Sequence, residues 1–554
     1  MAKKPARTAP TRAPLDFGPL AVAAAALIAF FPSLSGGFVW DDLDYVRNNP
    51  ILHATGSAML ARLASAVVVG NYHPVTMASL AIDNALGGPG PLVFHATSVL
   101  LHAANAVLVG WLLVALGARR DAAWGGALLW AVHPLRVESV AWISGRKDVL
   151  STFCFLAACL FYLRHARANG RPGRSYAYAL VLFALAILSK ATTVAFVPVV
   201  FLFDWFMERP VTRKTLLEKL PFVALALFAG WMAIRAQATA GAIPLGDGGN
   251  GASRIAIACY GLALYVAKTV APWGLSALYP YPSPPGTLPA GWLVAAVAVA
   301  LGAVALLWFG RKARFAILAA GFYLATVALV LQLFPVGGAF AADRYAYLPA
   351  VGFSIAIAFA IGRTQFGRGL TVAVVAVAIG LAGATWARCG VWHDAMSLWN
   401  DVLAKYPDAA LAHQNRGVAL AEMGNHRAAI ADYDAALAVN PRYADALANR
   451  GGSKADLGEL DDALADLTAA VRIDPLRPTY RFNLGLVLGD KGRWDEALAS
   501  LTEAIRLKPD FAAAYLNRGL ALEQAGRAAE GTKDVLRAKE LGYPVSPAVL
   551  RRFR

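Results

Sequence analysis

Over the first two thirds of this chain the apolar residues come in long unbroken runs rather than in alternation with polar ones. The segments AVAAAALIAFF (21–31) and TVAVVAVAIGLAGA (371–384) contain no charged side chain. A helix needs ~20 mostly apolar residues to cross a bilayer. Residues 16–388 hold about a dozen such stretches and 389–554 hold none. Beyond 389 the chain becomes charged and periodic. The expected class is all-α: a polytopic helical membrane body followed by an α-solenoid. Its parts are a basic cytoplasmic tail (1–15), the membrane domain (16–388), a linker with a half-repeat (389–409), and four repeats with a C-terminal cap (410–554).

The period of the second region is 34. Prolines stand at Pro407, Pro441, Pro475 and Pro509, one set of glycines at Gly417, Gly451, Gly485 and Gly519, a second at Gly424, Gly458, Gly492 and Gly526, and alanines at Ala436, Ala470, Ala504 and Ala538. A 34-residue helix–turn–helix unit is the tetratricopeptide (TPR) signature. The first glycines and the alanines let two helices approach, the second glycines end the first helix, and the prolines stop the second. Gly531 stands where the earlier repeats have Ala429, Ala463 and Ala497, which fits a capping repeat. An asparagine ladder, Asn415, Asn449, Asn483 and Asn517, follows the same step on the first helix of each repeat. Each amide offers one acceptor and two donors, so the row suits the backbone of an extended polypeptide. The alternative is that the asparagines fix the stacking of neighbouring repeats.

Charge orders the spans. The chain is 58% hydrophobic and 16% charged with a net charge of +16. The positive residues form short clusters between apolar runs: the N-terminus, Arg119/Arg120, Arg164–Arg174, Arg209–Lys219, Arg311–Arg314 and Arg363–Arg368. That distribution follows the positive-inside rule and not a nucleic-acid surface, so no nucleic-acid partner is expected. Three apolar stretches (220–236, 254–271, 290–309) lie between two cytoplasmic clusters, where an even number is required. We set 254–271 at the outer interface, because it carries Arg254, Tyr260, Tyr265 and Lys268 and runs into a proline-rich segment. About eleven spans result, with the N-terminus inside, the first span a retained signal anchor, and the C-terminus outside. The four cysteines have no metal-ligand spacing, and Cys154 and Cys159 read as small apolar fillers.

Candidate chemistry gathers on the outer side. The first external segment reads GGFVWDDLDYVRNNPIL (36–52) and places Asp41 and Asp42 at the membrane boundary. The next, HPLRVESVAWISGRKD (133–148), carries Arg136, Glu138, Arg146, Lys147 and Asp148 where positive charge is normally sparse. Lys190 lies between two apolar stretches, and ADRYAYLP (342–349) adds Asp343 and Arg344. Ionisable groups at such depths are costly and therefore functional candidates. Cations there suit a phosphate, and a carboxylate suits a general base. The bland readings are a helix-capping or solvated Asp41–Asp42 pair, and structural pairing of Glu138 and Asp148 with Arg136 and Lys147. For His73, His95, His102 and His133 a satisfied structural histidine is expected.

The ordered set WDDLDYVRNNP, NYHPVTMASLAIDNALGGPGPLVFHATSVLLHAANAVLV (71–109), HPLRVESVAWISGRKDVLS, ADRYAYLP and then TPR repeats resembles the transmembrane-and-TPR-containing proteins. Animal members of that family are O-mannosyltransferases of the endoplasmic reticulum with the GT-C glycosyltransferase fold. The resemblance implies a GT-C-like body that transfers a sugar from a polyprenyl- or dolichyl-phosphate donor to a protein Ser/Thr hydroxyl on the outer face. It implies that the acidic pair Asp41 and Asp42 is catalytic. Arg136, Arg146, Lys147, Lys190 and Arg344, in that order, are the expected phosphate ligands, with Glu138, Asp148 and His73 in support. A divalent metal between Asp41 and Asp42 is a further option. The repeats would hold the acceptor or a partner protein. The alanine-rich composition and short tail fit a bacterial inner-membrane protein with periplasmic repeats (endoplasmic reticulum if eukaryotic). The alternatives are a non-enzymatic TPR scaffold for periplasmic proteins and a GT-C enzyme acting on a glycan.

Overall fold

Runs of Ala, Val and Leu without internal proline favour helix, and in lipid every backbone polar group must be satisfied within the segment. The computed structural model describes residues 16–553 apart from 53, 55, 66, 169–172, 240–250, 282–288, 311–312, 334–338 and 364–366. The basic tail 1–15 and Arg311 therefore lie outside the described residues. The chain divides into two compact units, Met1–Leu398 and Trp399–Arg554.

The first unit is helical. Among the described residues, six helices are long and apolar enough to cross a membrane: Pro91–Ala115, Ile143–Arg167, Arg213–Gln237, Ser253–Val270, Ala290–Gly310 and Arg368–Trp392. Five shorter apolar helices accompany them: Gly18–Ala29, Arg174–Ser189, Ala191–Phe206, Arg314–Val330 and Val351–Gly362. Helix length thus supports six spans where eleven are expected from charge. The apolar stretch after Arg119/Arg120 forms the 12-residue helix Arg120–Ala131, shorter than a bilayer crossing of ~20 residues. Ser253–Val270, set aside above as interfacial, is among the six, so length and composition do not separate it from a span.

Pro91–Ala115 and Ile143–Arg167 form the centre: 56% and 67% of their apolar windows are buried, against 11% for Ala290–Gly310. Small residues permit the tight packing expected between helices in lipid. A Cβ on Gly110 would fall 2.0 Å from the Trp124 ring, and one on Gly352 would fall 2.6 Å from the Ala319 carbonyl. One antiparallel pairing, Tyr279–Pro280 against Ala339–Ala341, fixes the loop that carries Asp343 and Arg344.

The second unit is the TPR solenoid. Its helix pairs are Ala410–Glu422 with His426–Val439, Ala444–Asp456 with Leu460–Ile473, Pro478–Asp490 with Trp494–Leu507, and Ala512–Gln524 with Ala528–Glu540. Gly424, Gly458, Gly492 and Gly526 turn between the helices of each pair with φ from 72° to 83°, the left-handed region that glycine enters at no steric cost. Gly531 has a local cause. A Cβ there would lie 2.5 Å from the Gly519 carbonyl and 2.9 Å from Phe553, whose buried ring closes the last repeat.

An unexpected regularity ties these pairs. Arg416, Arg450 and Arg518 each grip an aspartate 16 residues on (Asp432, Asp466, Asp534) with two parallel bonds of 2.6–2.9 Å. The remaining guanidinium nitrogen reaches the preceding helix at Asn400, Asp434 and Thr502 respectively. Each arginine therefore rivets three helices. In the third repeat both partners are replaced, by Leu484 and Ser500.

Candidate active site

The acidic pair sits on a tight turn. Asp42 N–H donates to the Val39 carbonyl (3.1 Å), and Val39 N–H donates back to Asp42 Oδ2 (3.0 Å). Asp42 Oδ1 accepts from Ser144 N–H (2.7 Å) and Ser144 Oγ–H (2.6 Å). Asp42 is fully buried, and burial pushes its carboxyl up to about 7 against the pull of those donors. Asp41 faces other neighbours. Burial raises its pKa, and the positive charges of Lys147 and then Arg344 oppose the rise. Two adjacent aspartates thus have different surroundings: one is spent on fixing the loop to Ser144, and the other lies in the field of two cations.

Those cations rest on aromatic faces. Lys147 Nζ donates to Tyr45 Oη (3.3 Å) and lies 4.9 Å from the Tyr45 ring and 5.1 Å from the Trp142 ring. Its partners among the described residues are thus a phenol and two ring faces rather than a carboxylate. The Arg344 guanidinium lies 4.9 Å from the Tyr345 ring, 5.3 Å from Trp142 and 5.6 Å from Trp40. Glu138 holds it, pairing with the guanidinium and accepting from Arg344 N–H at 2.8 Å. Lys190 pairs with Asp148 and lies 5.8 Å from the Tyr345 ring. Asp148 Oδ2 is buried with no hydrogen-bond partner among the described residues. Cation–π contacts of this kind hold a charge without neutralising it.

The ranking of the cations changes. Arg136 and Arg146, placed first from sequence, are enclosed. Arg136 is 1% exposed, donates to the Ala346 carbonyl (2.7 Å) and lies 5.3 Å from the Trp130 ring, where it braces the 343–347 turn. Arg146 is wholly buried against Asp83 (2.7 Å), Ser79, Ser98 and the Phe94 carbonyl, joining helices Pro74–Gly87 and Pro91–Ala115. A departure from the positive-inside trend marks a cation with a task, and bracing a fold is one such task. The structural pairing expected for Glu138 and Asp148 also differs: their partners are Arg344 and Lys190. His73 lies under the Tyr45 ring (centroids 5.2 Å, 5° apart), and burial pushes its pKa down to about 3, so it is neutral there. For a metal between Asp41 and Asp42, Asp42 has little left to offer: Oδ1 accepts two hydrogen bonds from Ser144 and Oδ2 one from Val39, which leaves one lone pair. Among the described residues no group of three or more His, Cys, Asp or Glu has metal-binding geometry.

Sequence reasoning missed Trp40, Tyr45, Trp142, Ser144 and Tyr345. The available signal was that an aromatic residue stands beside the charge in WDD and DRYAY and four residues before it in AWISGRKD. A separate 320 Å³ cavity is lined by Asp204, Trp205, Glu208, Arg209, Lys219 and Arg314 among others. Its charges are paired with one another: Arg209 and Lys219 with Asp204 and Glu218, and Arg314 with Glu208. In the repeat unit, Asn517 donates to its own helix at the Ala513 carbonyl (2.9 Å), while Asn415 Nδ2 is buried with no hydrogen-bond partner among the described residues.

Comparison with known proteins agrees with the order of motifs. Residues 74–234 match the family model for dolichyl-phosphate-mannose-protein mannosyltransferases, and 415–478 and 485–526 match tetratricopeptide-repeat models. Protein O-mannosyl-transferase TMTC4 of Homo sapiens is 28% identical over 493 residues, covering 75% of this chain and 65% of the relative. Protein O-mannosyl-transferase TMTC1 of Mus musculus is 32% identical over 204 residues, covering 33% of this chain and 22% of the relative. The chain thus spans about two thirds or less of the length of these relatives. Among solved structures, MamA aligns at 24% identity over 27% of this chain and 86% of that chain, with a TM-score of 0.25. YrrB, titled a TPR protein with an unusual peptide-binding site, aligns at 21% identity over 26% and 76%, with a TM-score of 0.24. The chain is a membrane protein related to the TPR-containing O-mannosyltransferases.

Proposed function

We propose that the chain is a glycosyltransferase that moves a mannose-like sugar from a polyprenyl-phosphate donor to a protein hydroxyl on the outer face of the membrane. What supports this reading is the convergence of the motifs 36–52, 133–148 and 342–349 on one site, where Asp41 lies in the field of Lys147 and Arg344, two cations resting on aromatic rings. Asp41 takes the proton of a Ser/Thr hydroxyl as the new bond from that oxygen to the anomeric carbon forms. The bond from the anomeric carbon to the phosphate oxygen breaks, and the polyprenyl phosphate leaves with the electron pair, its charge met by Lys147 and Arg344. A phosphate is a good leaving group, so no acid is needed to protonate it. Lys190, paired with Asp148 across the same loops, supplies a further cation. The repeats hold the acceptor chain.

The test is transfer itself. Purified chain, supplied with polyprenyl-phosphate mannose and an extended Ser/Thr-rich polypeptide, is expected to add a hexose detectable by mass spectrometry, and cells lacking the chain to lose hexose from envelope proteins. A folded protein that transfers nothing, in cells whose glycoproteins do not change, would leave the scaffold reading.

A further inference from the structure

Trp40 occupies a backbone conformation that its residue type avoids. The 39–42 turn is closed by Asp42 N–H on the Val39 carbonyl, which makes Trp40 its second residue, with φ of 55°. A positive φ at that place in a turn is the province of glycine. For a bulky side chain it is costly and persists where the surroundings over-determine it, most often at functional sites. The surroundings here are specific. The Trp40 ring stacks on Trp142 with centroids 5.1 Å apart and planes 17° apart. Trp142 is itself pinned, its indole N–H donating to the Val39 carbonyl at 3.3 Å. The next residue, Asp41, starts the following helical turn, its carbonyl accepting from Asp44 and Tyr45 N–H at 3.0 Å each. The direction of the chain at Trp40 therefore sets where Asp41 stands relative to Tyr45, which bears Lys147.

We propose that Trp40 is a positioning residue: its stack on Trp142 holds the turn left-handed, which separates Asp42, tied to Ser144, from Asp41, which opens the helical turn carrying Tyr45 and, on it, Lys147. The inference rests on the transferase reading for its kinetic consequence but not for its geometry. Relieving the strain should then cost activity rather than stability.

Three variants of the full chain in lipid nanodiscs test this. Trp40→Gly accepts the turn without strain but loses the ring, and is expected to keep its melting temperature while its kcat falls about 100-fold, the scale of a misplaced reacting group. Trp40→Phe keeps a stacking ring and should recover most of the rate, and Trp40→Ala should lose both rate and stability. A wild-type rate in Trp40→Gly overturns the proposal, as does a drop in melting temperature with normal activity of the folded fraction. A substrate-free readout separates this from failure of the transferase reading. Labelling of Asp41 by a water-soluble carbodiimide, followed by mass spectrometry against pH, should shift toward the profile of ordinary exposed carboxylates in Trp40→Gly. An unchanged Asp41 profile sinks the proposal whatever the protein transfers.

Discussion

At the scale of single residues, the two adjacent aspartates separate by experiment. Asp41→Asn keeps shape and removes the basic charge, so transfer should fall by ~100- to 10,000-fold with little change in melting temperature. Asp42→Asn sets an amide against two N–H donors and a hydroxyl, and should cost stability by about 1–3 kcal/mol, the price of a buried unmatched group. Calorimetry beside a transfer assay distinguishes them, and equal behaviour of the two variants would contradict the division of roles. The pH dependence has a definite sign. Asp42 stands at about 7 when folded against an ordinary 3.8. The folded state therefore binds its proton more tightly, so its contribution is complete below about pH 4 and is lost as pH rises through about 7. Asp343, raised to about 7 by burial, adds to the same slope. The melting temperature should fall across that window, and Asp42→Asn should flatten the fall. A slope untouched by the substitution would assign it to Asp343.

At the scale of elements, the repeats carry a test of the Arg–Asp rivet. Arg450→Ala leaves Asp466 with Lys454 as its remaining cation and frees the link to Asp434. The 399–554 unit should lose about 1.5–3 kcal/mol, the scale of a charged hydrogen bond, read by urea unfolding. The third repeat offers the converse, since Leu484→Arg with Ser500→Asp rebuilds the missing pair and should recover stability that neither substitution gives alone. The asparagine ladder is tested beside it. Asn449→Ala with Asn483→Ala should weaken capture of an extended peptide by the same unit and leave its unfolding midpoint unchanged. A shifted midpoint with intact capture would assign the ladder to stacking. The rivet was legible in principle, because Arg and Asp recur at the 34-residue step, yet pairing 16 residues apart becomes evident once two antiparallel helices are seen side by side. The outer loops were less legible. Arg136, Arg146, Lys147 and Arg344 look alike along the chain, and burial alone tells a brace from a group that faces Asp41.

At the scale of the whole molecule, the charge pattern predicts a C-terminus outside, whereas an even number of spans, such as the six that helix length supports, would put it inside. A periplasmic reporter fused after Arg554 should be active and a cytoplasmic one silent; the reverse result would mean an even number of spans and move the repeats away from the outer loops. Composition and periodicity alone determined the all-α class, the membrane character of the region before the repeats, and the four repeats with their left-handed glycines. Hydrophobic runs and a 34-residue step are local or translationally repeated properties, and a chain carries those in one dimension. The motifs also marked the segments whose charged and aromatic residues pack against one another. Only the tertiary structure decided which charges meet. Asp41 and Asp42 are neighbours in sequence with different surroundings, whereas Glu138 and Arg344 are more than two hundred residues apart and bonded. Burial and pairing depend on which loops the packed helices bring together, and no periodicity along the chain encodes that.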